Sequence, residues 1–122
     1  MAITHSTTIR NAIADLVVDA IDAGGAGTLE FQTSGDVEVA TLTFGATAFG
    51  AASSGTATAN SVTSDTDATG GTAAKFVIKS GGAATIISGA VGTSGSDINL
   101  SSLSIGAGDT VSLSSLTYSA PA

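Results

Sequence analysis

The chain has 122 residues, one His, no Cys and no Trp, and its formal net charge is −7. Only three residues are basic, whereas proteins bind nucleic acids and anionic membranes through several Lys and Arg side chains. We therefore expect neither a nucleic acid nor a membrane among its partners. The scarcity of side chains that exchange protons, attack carbon or hold metals also argues against an enzyme, a cofactor and a bound metal.

The length is that of one domain, residues 1–122, and the composition predicts a thin hydrophobic core. Hydrophobic residues make up 43% of the chain, but many of them are Ala, and aromatic residues contribute only 4%. Small domains with thin cores often depend on disulfides, metals or association, and this chain has no Cys. We therefore predict a homo-oligomer. The first five residues lack the pattern of a secretory signal, so we expect synthesis in the cytoplasm.

Residues 6–23 are predicted to form the only helix, because apolar residues recur there at helical spacing. The apolar stripe consists of Ile9, Ile13, Leu16, Val17, Ala20 and Ile21. The polar residues are expected largely on the remaining surface, and they are Arg10, Asn11, Asp15, Asp19 and Asp22. Ser6 or Thr7 is suited to cap the first turn, and the pair Gly24-Gly25 is suited to end the helix.

The apolar stripe is the main candidate interface of the chain. The predicted interface residues are Ile9, Ile13, Leu16, Val17 and Ile21. An uncovered apolar surface of this kind marks an association site; alternatively, the stripe closes one face of the protein's own sandwich. Asp19 and Asp22 lie near the helix C-terminus, where the helix dipole disfavours negative charge. A basic partner surface would remove that conflict, and a solvated acidic face is the simpler interpretation.

Residues 27–119 follow a period of two, which is typical of strands with one buried face. Leu29 and Phe31 alternate with Glu30 and Gln32, and Phe76 and Ile78 alternate with Lys75, Val77 and Lys79. Short runs of this kind, separated by Gly-rich turns, indicate a sandwich or barrel. We predict a mainly β fold, an antiparallel β-sandwich of jelly-roll type with one N-terminal α-helix.

Residues 45–72 form the least regular part of the sequence. Alternating Thr and Ala at 56–59 predict a weakly specified strand, because small side chains define strand register poorly. Residues 64–71 are predicted to form a long exposed loop. The Ser-Gly-Asp sequence at 34–36 predicts a turn between two strands.

Two places could carry chemistry. His5 is the only His and would have to be the general base of a Ser-His-Asp hydrolase. No Ser lies in a Gly-x-Ser-x-Gly motif, so we interpret His5 as an exposed polar residue ahead of the helix. Asp65 and Asp67 resemble the start of a calcium loop, but calcium needs about six to eight oxygen ligands. We predict that this loop binds no metal.

Two further patterns are interpreted as structural. Glu30, Asp36 and Glu38 could be proposed as carboxylates for glycoside cleavage, but a sugar cleft needs stacking rings, and the chain has one Tyr and no Trp. Solvated strand faces explain them better. Three glycine pairs could cradle phosphate, but none precedes Gly-Lys-Ser/Thr, and we interpret them as turns. The pairs are Gly24-Gly25, Gly70-Gly71 and Gly81-Gly82.

Two segments, one near each end of the chain, carry a resemblance to a known group of proteins. The first is THSTTIRNAIAD at residues 4–15, and the second runs from DINLSS at 97–102 through IGAGDTV at 105–111 to LTY at 116–118. Together they resemble small structural proteins of tailed bacteriophages, of the decoration or cement type. The likeness extends loosely across the whole chain, and it carries no catalytic residues.

The resemblance implies a non-enzymatic virion protein that binds the outside of the major capsid shell and stabilises it. The implied partner is the major capsid protein, and the implied location is the virion after synthesis in the host cytoplasm. A β body without reactive groups, carrying an apolar-striped helix for docking, agrees with that function. The alternative is a tail-fibre or head-fibre component that binds a host receptor or glycan through loops such as 45–71. An enzyme dependent on His5 is the third interpretation.

Overall fold

The computed structural model describes residues 3–96, 98–100, 102–113 and 116–120 of the chain. Asp97 and Ser101, which belong to the second segment of the phage resemblance, lie outside the described residues. The elements in chain order are α1 (Thr7–Ile21), β1 (Thr28–Gln32), β2 (Glu38–Phe44), β3 (Thr56–Thr58), β4 (Val62–Thr63), β5 (Gly71–Thr72), β6 (Lys75–Lys79), β7 (Thr85–Gly92), β8 (Ile98–Asn99), β9 (Ser104–Ile105) and β10 (Thr117–Ser119). The prediction of a mainly β fold with one N-terminal helix is confirmed.

The strands form one six-stranded sheet and two two-stranded sheets. The large sheet has the order β4-β2-β1-β6-β7-β8, and the small sheets are β10-β3 and β5-β9. All strand pairs are antiparallel except β7 and β8, which run parallel, so the large sheet is mixed. This parallel pair departs from the predicted antiparallel arrangement, because residues 93–96 do not reverse the chain as a hairpin would.

The centre of the core lies on one face of strands β1, β2 and β6. The registers place six buried side chains in two cross-strand rows, Leu42, Leu29 and Ile78 in one and Ala40, Phe31 and Phe76 in the other. The rings of Phe44 and Phe49 extend this core, with centroids 5.8 Å apart. The predicted alternation therefore holds in β6, where Phe76 and Ile78 are buried and their neighbours are half-buried.

Charged side chains occupy the opposite face of the same strands. Lys79 of β6 and Glu30 of β1 form an ion pair of 2.8 Å, and Lys75 pairs with Asp36 in the turn between β1 and β2. That turn confirms the prediction for 34–36, since the hydroxyl of Thr33 accepts hydrogen bonds from the backbone N–H groups of Gly35 and Val37. The side chains of these pairs keep contact with solvent, with exposed fractions from 14% for Glu30 to 73% for Asp36. Ion pairs in contact with water contribute little to stability, so the apolar face supplies most of the energy that holds the sheet.

A second layer covers the core face of the sheet. Phe76 and Ile78 from the sheet and Leu116 and Tyr118 from the C-terminal segment line a shared cavity of about 290 Å³. Strand β10 pairs with β3, and helix α1 packs against both of these strands and against β7. Strand β3 confirms the weak strand that was predicted at 56–59.

The segment 64–71 is more ordered than an exposed loop. The backbones of Asp65 and Val111 exchange two hydrogen bonds, of 2.9 and 2.7 Å, and Ala68 is buried. The prediction of a long exposed loop therefore holds for Thr66, Asp67 and Thr69, which are exposed. It is wrong for Asp65 and Ala68, whose backbones bond to Val111 and Asp109 of the C-terminal part of the chain.

Candidate functional site

Helix α1 begins after the predicted cap Ser6 and ends at Ile21, two residues before the predicted boundary at 23. The hydroxyl of Ser6 accepts a hydrogen bond of 3.3 Å from the backbone N–H of Ile9, which is the bond of an N-cap. At the other end, the carbonyl oxygens of Ile21 and Ala23 accept hydrogen bonds from the backbone of the turn between β6 and β7. The donors are Gly81 and Gly82. The helix is therefore anchored at its C-terminal end to the large sheet.

The polar face of the helix, and not the apolar stripe, lies against the segment 48–55. Three short side chains on this face accept hydrogen bonds from backbone N–H groups of that segment. The pairs are Asn11 with Gly55 at 2.8 Å, Asp15 with Ala52 at 2.8 Å, and Asp22 with Ala48 at 2.9 Å. Since backbone N–H groups removed from water require acceptors, these side chains are structural contacts of the fold.

Arg10 extends the same polar face. Its Nη2 atom donates a hydrogen bond of 3.3 Å to the carbonyl oxygen of Ala120. A Cβ atom on Gly55 would lie 2.6 Å from Cζ of Arg10, so the guanidinium group lies directly on the Gly55 backbone. The Nε atom of Arg10 is buried and has no hydrogen-bond partner among the described residues. Arg10 thus joins the helix to the C-terminal strand pair.

The polar helix residues lie largely outside the apolar stripe, as expected, but most of that face is docked. Arg10, Asn11, Asp15 and Asp22 are half-buried, and among the polar residues of the predicted set only Asp19 is exposed. The physical reason is the segment 48–55, whose N–H groups need acceptors that an aliphatic stripe cannot supply. One sequence signal could have revealed this face. Asn11, Asp15 and Asp22 recur at helical spacing with the apolar Ala14 and Val18 between them, and a row of short acceptors around an apolar centre is typical of a docked helix.

The predicted interface residues do not share one environment. Ile21 has none of its surface exposed and belongs to the protein's own core, so the structure corrects its assignment to an interface. Ile13 and Val17 are half-buried at the edge of the helix. Ile9 and Leu16 are 49% and 75% exposed. The stripe is therefore divided, with Ile21 inside, Ile9 and Leu16 outside, and the residues between them half-buried.

The outward-facing part of the helix is a row of apolar side chains, which we call the outer row. It consists of Ile9, Ala12, Ile13, Leu16 and Ala20. Asp19 borders this row and is exposed, and no basic side chain in the described part of the chain forms an ion pair with it. Exposed apolar residues that occur singly are ordinary, whereas a continuous row on a rigid element is typical of an interaction surface.

The other candidate residues have structural surroundings. His5 is exposed and precedes the N-cap of the helix. Asp65 accepts hydrogen bonds from the backbone N–H groups of Thr41 and Asp67, at 2.8 and 2.9 Å. Glu38 accepts hydrogen bonds from the hydroxyls of Thr41 and Thr69. Within the described ranges, no group of three or more His, Cys, Asp or Glu residues is arranged to hold a metal ion.

Two of the predicted glycine turns meet each other. A Cβ atom on Gly81 would lie 2.5 Å from the backbone carbonyl of Gly25, and one on Gly24 would lie 2.9 Å from the backbone nitrogen of Gly82. The two backbones approach more closely than any side chain would allow. The pairs therefore serve as the contact between the end of the helix and the β6–β7 turn.

The C-terminal part of the chain borders a second cleft, with a volume of about 630 Å³. Hydroxyl and amide groups line it, including those of Asn99, Ser104 and Thr110. The carboxylate of Asp109, also in its lining, accepts a hydrogen bond of 2.7 Å from the backbone N–H of Gly106. Groups of these kinds can bind a small polar ligand through hydrogen bonds.

No protein-family model matches the chain, and the searches of curated proteins and of solved structures found no match either. None of the helices formed by the described residues is long and apolar enough to cross a membrane. Inferences about function therefore depend on the two faces of the helix and on the resemblance noted in the sequence.

Proposed function

We propose that this chain is a non-enzymatic structural protein of a tailed-bacteriophage virion, a capsid decoration or cement protein. In this proposal it binds the outside of the major capsid shell as a homo-oligomer and stabilises the particle. The observation that carries the proposal is the orientation of helix α1. Its acceptor side chains point into the protein, and Ile9 and Leu16 point out.

This orientation supports a function in association. A protein that is stable alone gains most by burying its largest aliphatic side chains, yet Leu16 is 75% exposed while Asp15 beside it is half-buried. Side-chain hydrogen bonds and the glycine contact hold the helix on the body. A surface that is already ordered loses little conformational entropy when a partner binds, so more of the contact energy remains as affinity.

The use of the acidic side chains supports a structural rather than a catalytic function. Four carboxylates accept hydrogen bonds from backbone N–H groups, and these are Asp15, Asp22, Asp65 and Asp109. Two others are paired with Lys side chains, Glu30 with Lys79 and Asp36 with Lys75. These groups stabilise turns and strands of the fold. Carboxylates that accept backbone hydrogen bonds stabilise the fold, and a small protein on a particle surface needs that stability.

A decoration protein does not need tight binding by each copy. Many copies on a symmetric shell act together, and linked contacts raise the overall affinity well above that of one contact. The net charge of −7 would also limit binding to nucleic acid released from damaged particles. A modest contact surface on each copy is therefore sufficient for the proposed function.

Mass spectrometry and cryo-microscopy of purified particles of the source phage test the proposal. We expect the protein in many copies on the outer capsid surface, and particles assembled without it should lose their integrity at lower temperature. Adding back purified protein should restore stability. Absence of the protein from purified particles would exclude the proposed function.

A tail-fibre or head-fibre component is the second candidate, and the cleft of about 630 Å³ favours it because hydroxyl and amide groups line that cleft. This candidate predicts that the isolated protein binds a host glycan or the host cell surface. Glycan-array and cell-adsorption measurements test it, with the variant Asn99→Ala as a change in the lining of the cleft. Location of the protein on the capsid, without any glycan binding, would reject this candidate.

A further inference from the structure

Building on the proposed function, we propose that the outer row packs against the outer row of a second copy of this chain. The two α1 helices would lie antiparallel across a twofold axis near the middle of the row. Such a pair is self-complementary, because each contact of one copy with the other is repeated in the reverse direction. Contact with the capsid would then use another surface of the dimer.

The charges at the two ends of the helix favour a second copy over other occupants. The first turn of α1 contains no acidic residue and the last turn contains no basic residue. Asp19, in the last turn, adds a negative charge to the negative end of the helix dipole. An antiparallel pair brings Asp19 of each copy towards the positive first turn of the other helix. In each half of the pair, the carboxylate of Asp19 then faces a positive helix end, and the positive first turn of the partner gains a nearby negative charge.

Among the described residues, the Lys and Arg side chains are all engaged away from Asp19. Arg10 binds the carbonyl oxygen of Ala120, and Lys75 and Lys79 form ion pairs with Asp36 and Glu30. The first turn of helix α1 is a positive group that a second copy can offer to Asp19. The dipole of the partner helix therefore supplies the complementary charge that the side chains do not.

We expect the dimer to be weak and to become tighter as the salt concentration rises. A helix of 15 residues is about 22 Å long, and a contact of that length belongs to the small class of interfaces. Two copies with a net charge of −7 each repel one another, and added salt screens that repulsion. Salt should therefore strengthen the dimer, whereas it would weaken the binding of a basic partner.

Analytical ultracentrifugation of the full chain, from about 1 μM to about 1 mM, tests the inference over the range of weak affinities. We expect a dimer whose dissociation constant falls when the salt concentration rises from about 0.1 M to about 1 M. Leu16→Asn should raise the dissociation constant at least about tenfold, the equivalent of losing one buried aliphatic contact. Val37→Asn is the matched control, since Val37 is an exposed aliphatic residue outside the helix, and it should leave the dimer unchanged.

Asp19→Lys distinguishes a specific antiparallel pair from general association. This substitution reduces the net negative charge and should strengthen any non-specific association of acidic chains. In the antiparallel pair it places a cation beside the positive first turn of the partner, so the dissociation constant should rise. The melting temperature of the monomer should not fall, because a basic residue suits the last turn of a helix.

Cross-linking gives a second measurement, because it traps a dimer that is present only as a small fraction of the protein. The chain has no Cys, so Ala12→Cys, near the middle of the outer row, should form a disulfide-linked dimer on mild oxidation. Thr43→Cys, exposed on strand β2, should remain monomeric under the same conditions. Circular dichroism confirms that each variant is folded.

Several results would overturn the inference. They are a monomer at all concentrations, a dimer that persists in Leu16→Asn, a tighter dimer in Asp19→Lys, or equal cross-linking at both Cys positions. A monomeric protein that is nevertheless present on particles, and that loses particle binding in Leu16→Asn, would overturn the dimer while the proposed function stands. A dimer that is absent from particles would reject the proposed function and leave the helix pair intact.

Discussion

The carboxylate of Asp15 accepts a hydrogen bond of 2.8 Å from the backbone N–H of Ala52, a residue 37 positions further along the chain. This contact joins the N-terminal helix to a segment that lacks long strands of its own. Asn11 and Asp22 repeat the arrangement with Gly55 and Ala48. These polar side chains of the helix therefore hold the segment in place, while Ile9 and Leu16 remain available for other contacts.

Replacing Asp15 with Ala should destabilise the fold. The N–H of Ala52 is half-buried and would lose its acceptor, and a hydrogen bond to a charged group contributes about 1.5–3 kcal/mol. We expect the free energy of unfolding, measured by urea denaturation, to fall by about 1–2 kcal/mol, because water partly replaces the lost acceptor. Asp19→Ala is the matched control on the same helix and should change stability by less than about 0.5 kcal/mol. Equal losses in the two variants would contradict the assignment of the docked face.

Two aliphatic residues of the helix should respond oppositely to truncation. Ile21 is fully buried and Leu16 is 75% exposed. Ile21→Ala should reduce the free energy of unfolding by about 2–5 kcal/mol, because it removes buried methyl groups and leaves a cavity. Leu16→Ala should leave the stability of the monomer nearly unchanged, since Ala is a strong helix former. Thermal denaturation at low protein concentration measures both, and a large loss in Leu16→Ala would place that residue in the core.

The contact between Gly81 and Gly25 leaves no space for a side chain. A Cβ atom on Gly81 would lie 2.5 Å from the Gly25 carbonyl, whereas one on Gly82 would meet nothing closer than the Ser80 hydroxyl at 3.8 Å. Gly81→Ala should therefore cost about 1–3 kcal/mol, because the helix end and the turn must move apart. Gly82→Ala should remain within about 0.5 kcal/mol of the unchanged protein. If chemical denaturation shows the same loss for both, the close backbone contact does not exist in solution.

Metal removal should leave the protein unchanged. Asp65 uses both carboxylate oxygens to accept backbone hydrogen bonds, and those contacts do not require a cation. We expect the same melting temperature in the presence of a chelator and of added calcium. A fall of several degrees with the chelator would show a structural metal, and the double substitution of Asp65 and Asp67 by Asn should then reproduce it.

Local sequence patterns determined the secondary structure of much of the chain. The helix, its Ser6 cap and the alternating strands around Phe31 and Phe76 were all predictable. Each depends on residues within a few positions of one another, through spacing, capping or alternation. The mainly β class followed for the same reason. The short strands between 56 and 72 were harder to predict, because Thr, Ala and Gly side chains define neither a face nor a register.

Only the tertiary structure decided which face of the helix docks. An aliphatic stripe and a row of short acceptors were both present in the sequence, and periodicity alone favours burial of the aliphatic one. The N–H groups of Ala48, Ala52 and Gly55 require acceptors, and they reach the helix only after the chain has folded. An unsatisfied buried N–H group costs about 1–3 kcal/mol, which is comparable with the cost of exposing one large aliphatic side chain. Burial of Ala14, Val18 and Ile21 adds to the acceptor bonds on the docked side of the helix. Residues distant in sequence thus turned the acceptors inward and left Ile9 and Leu16 on the surface.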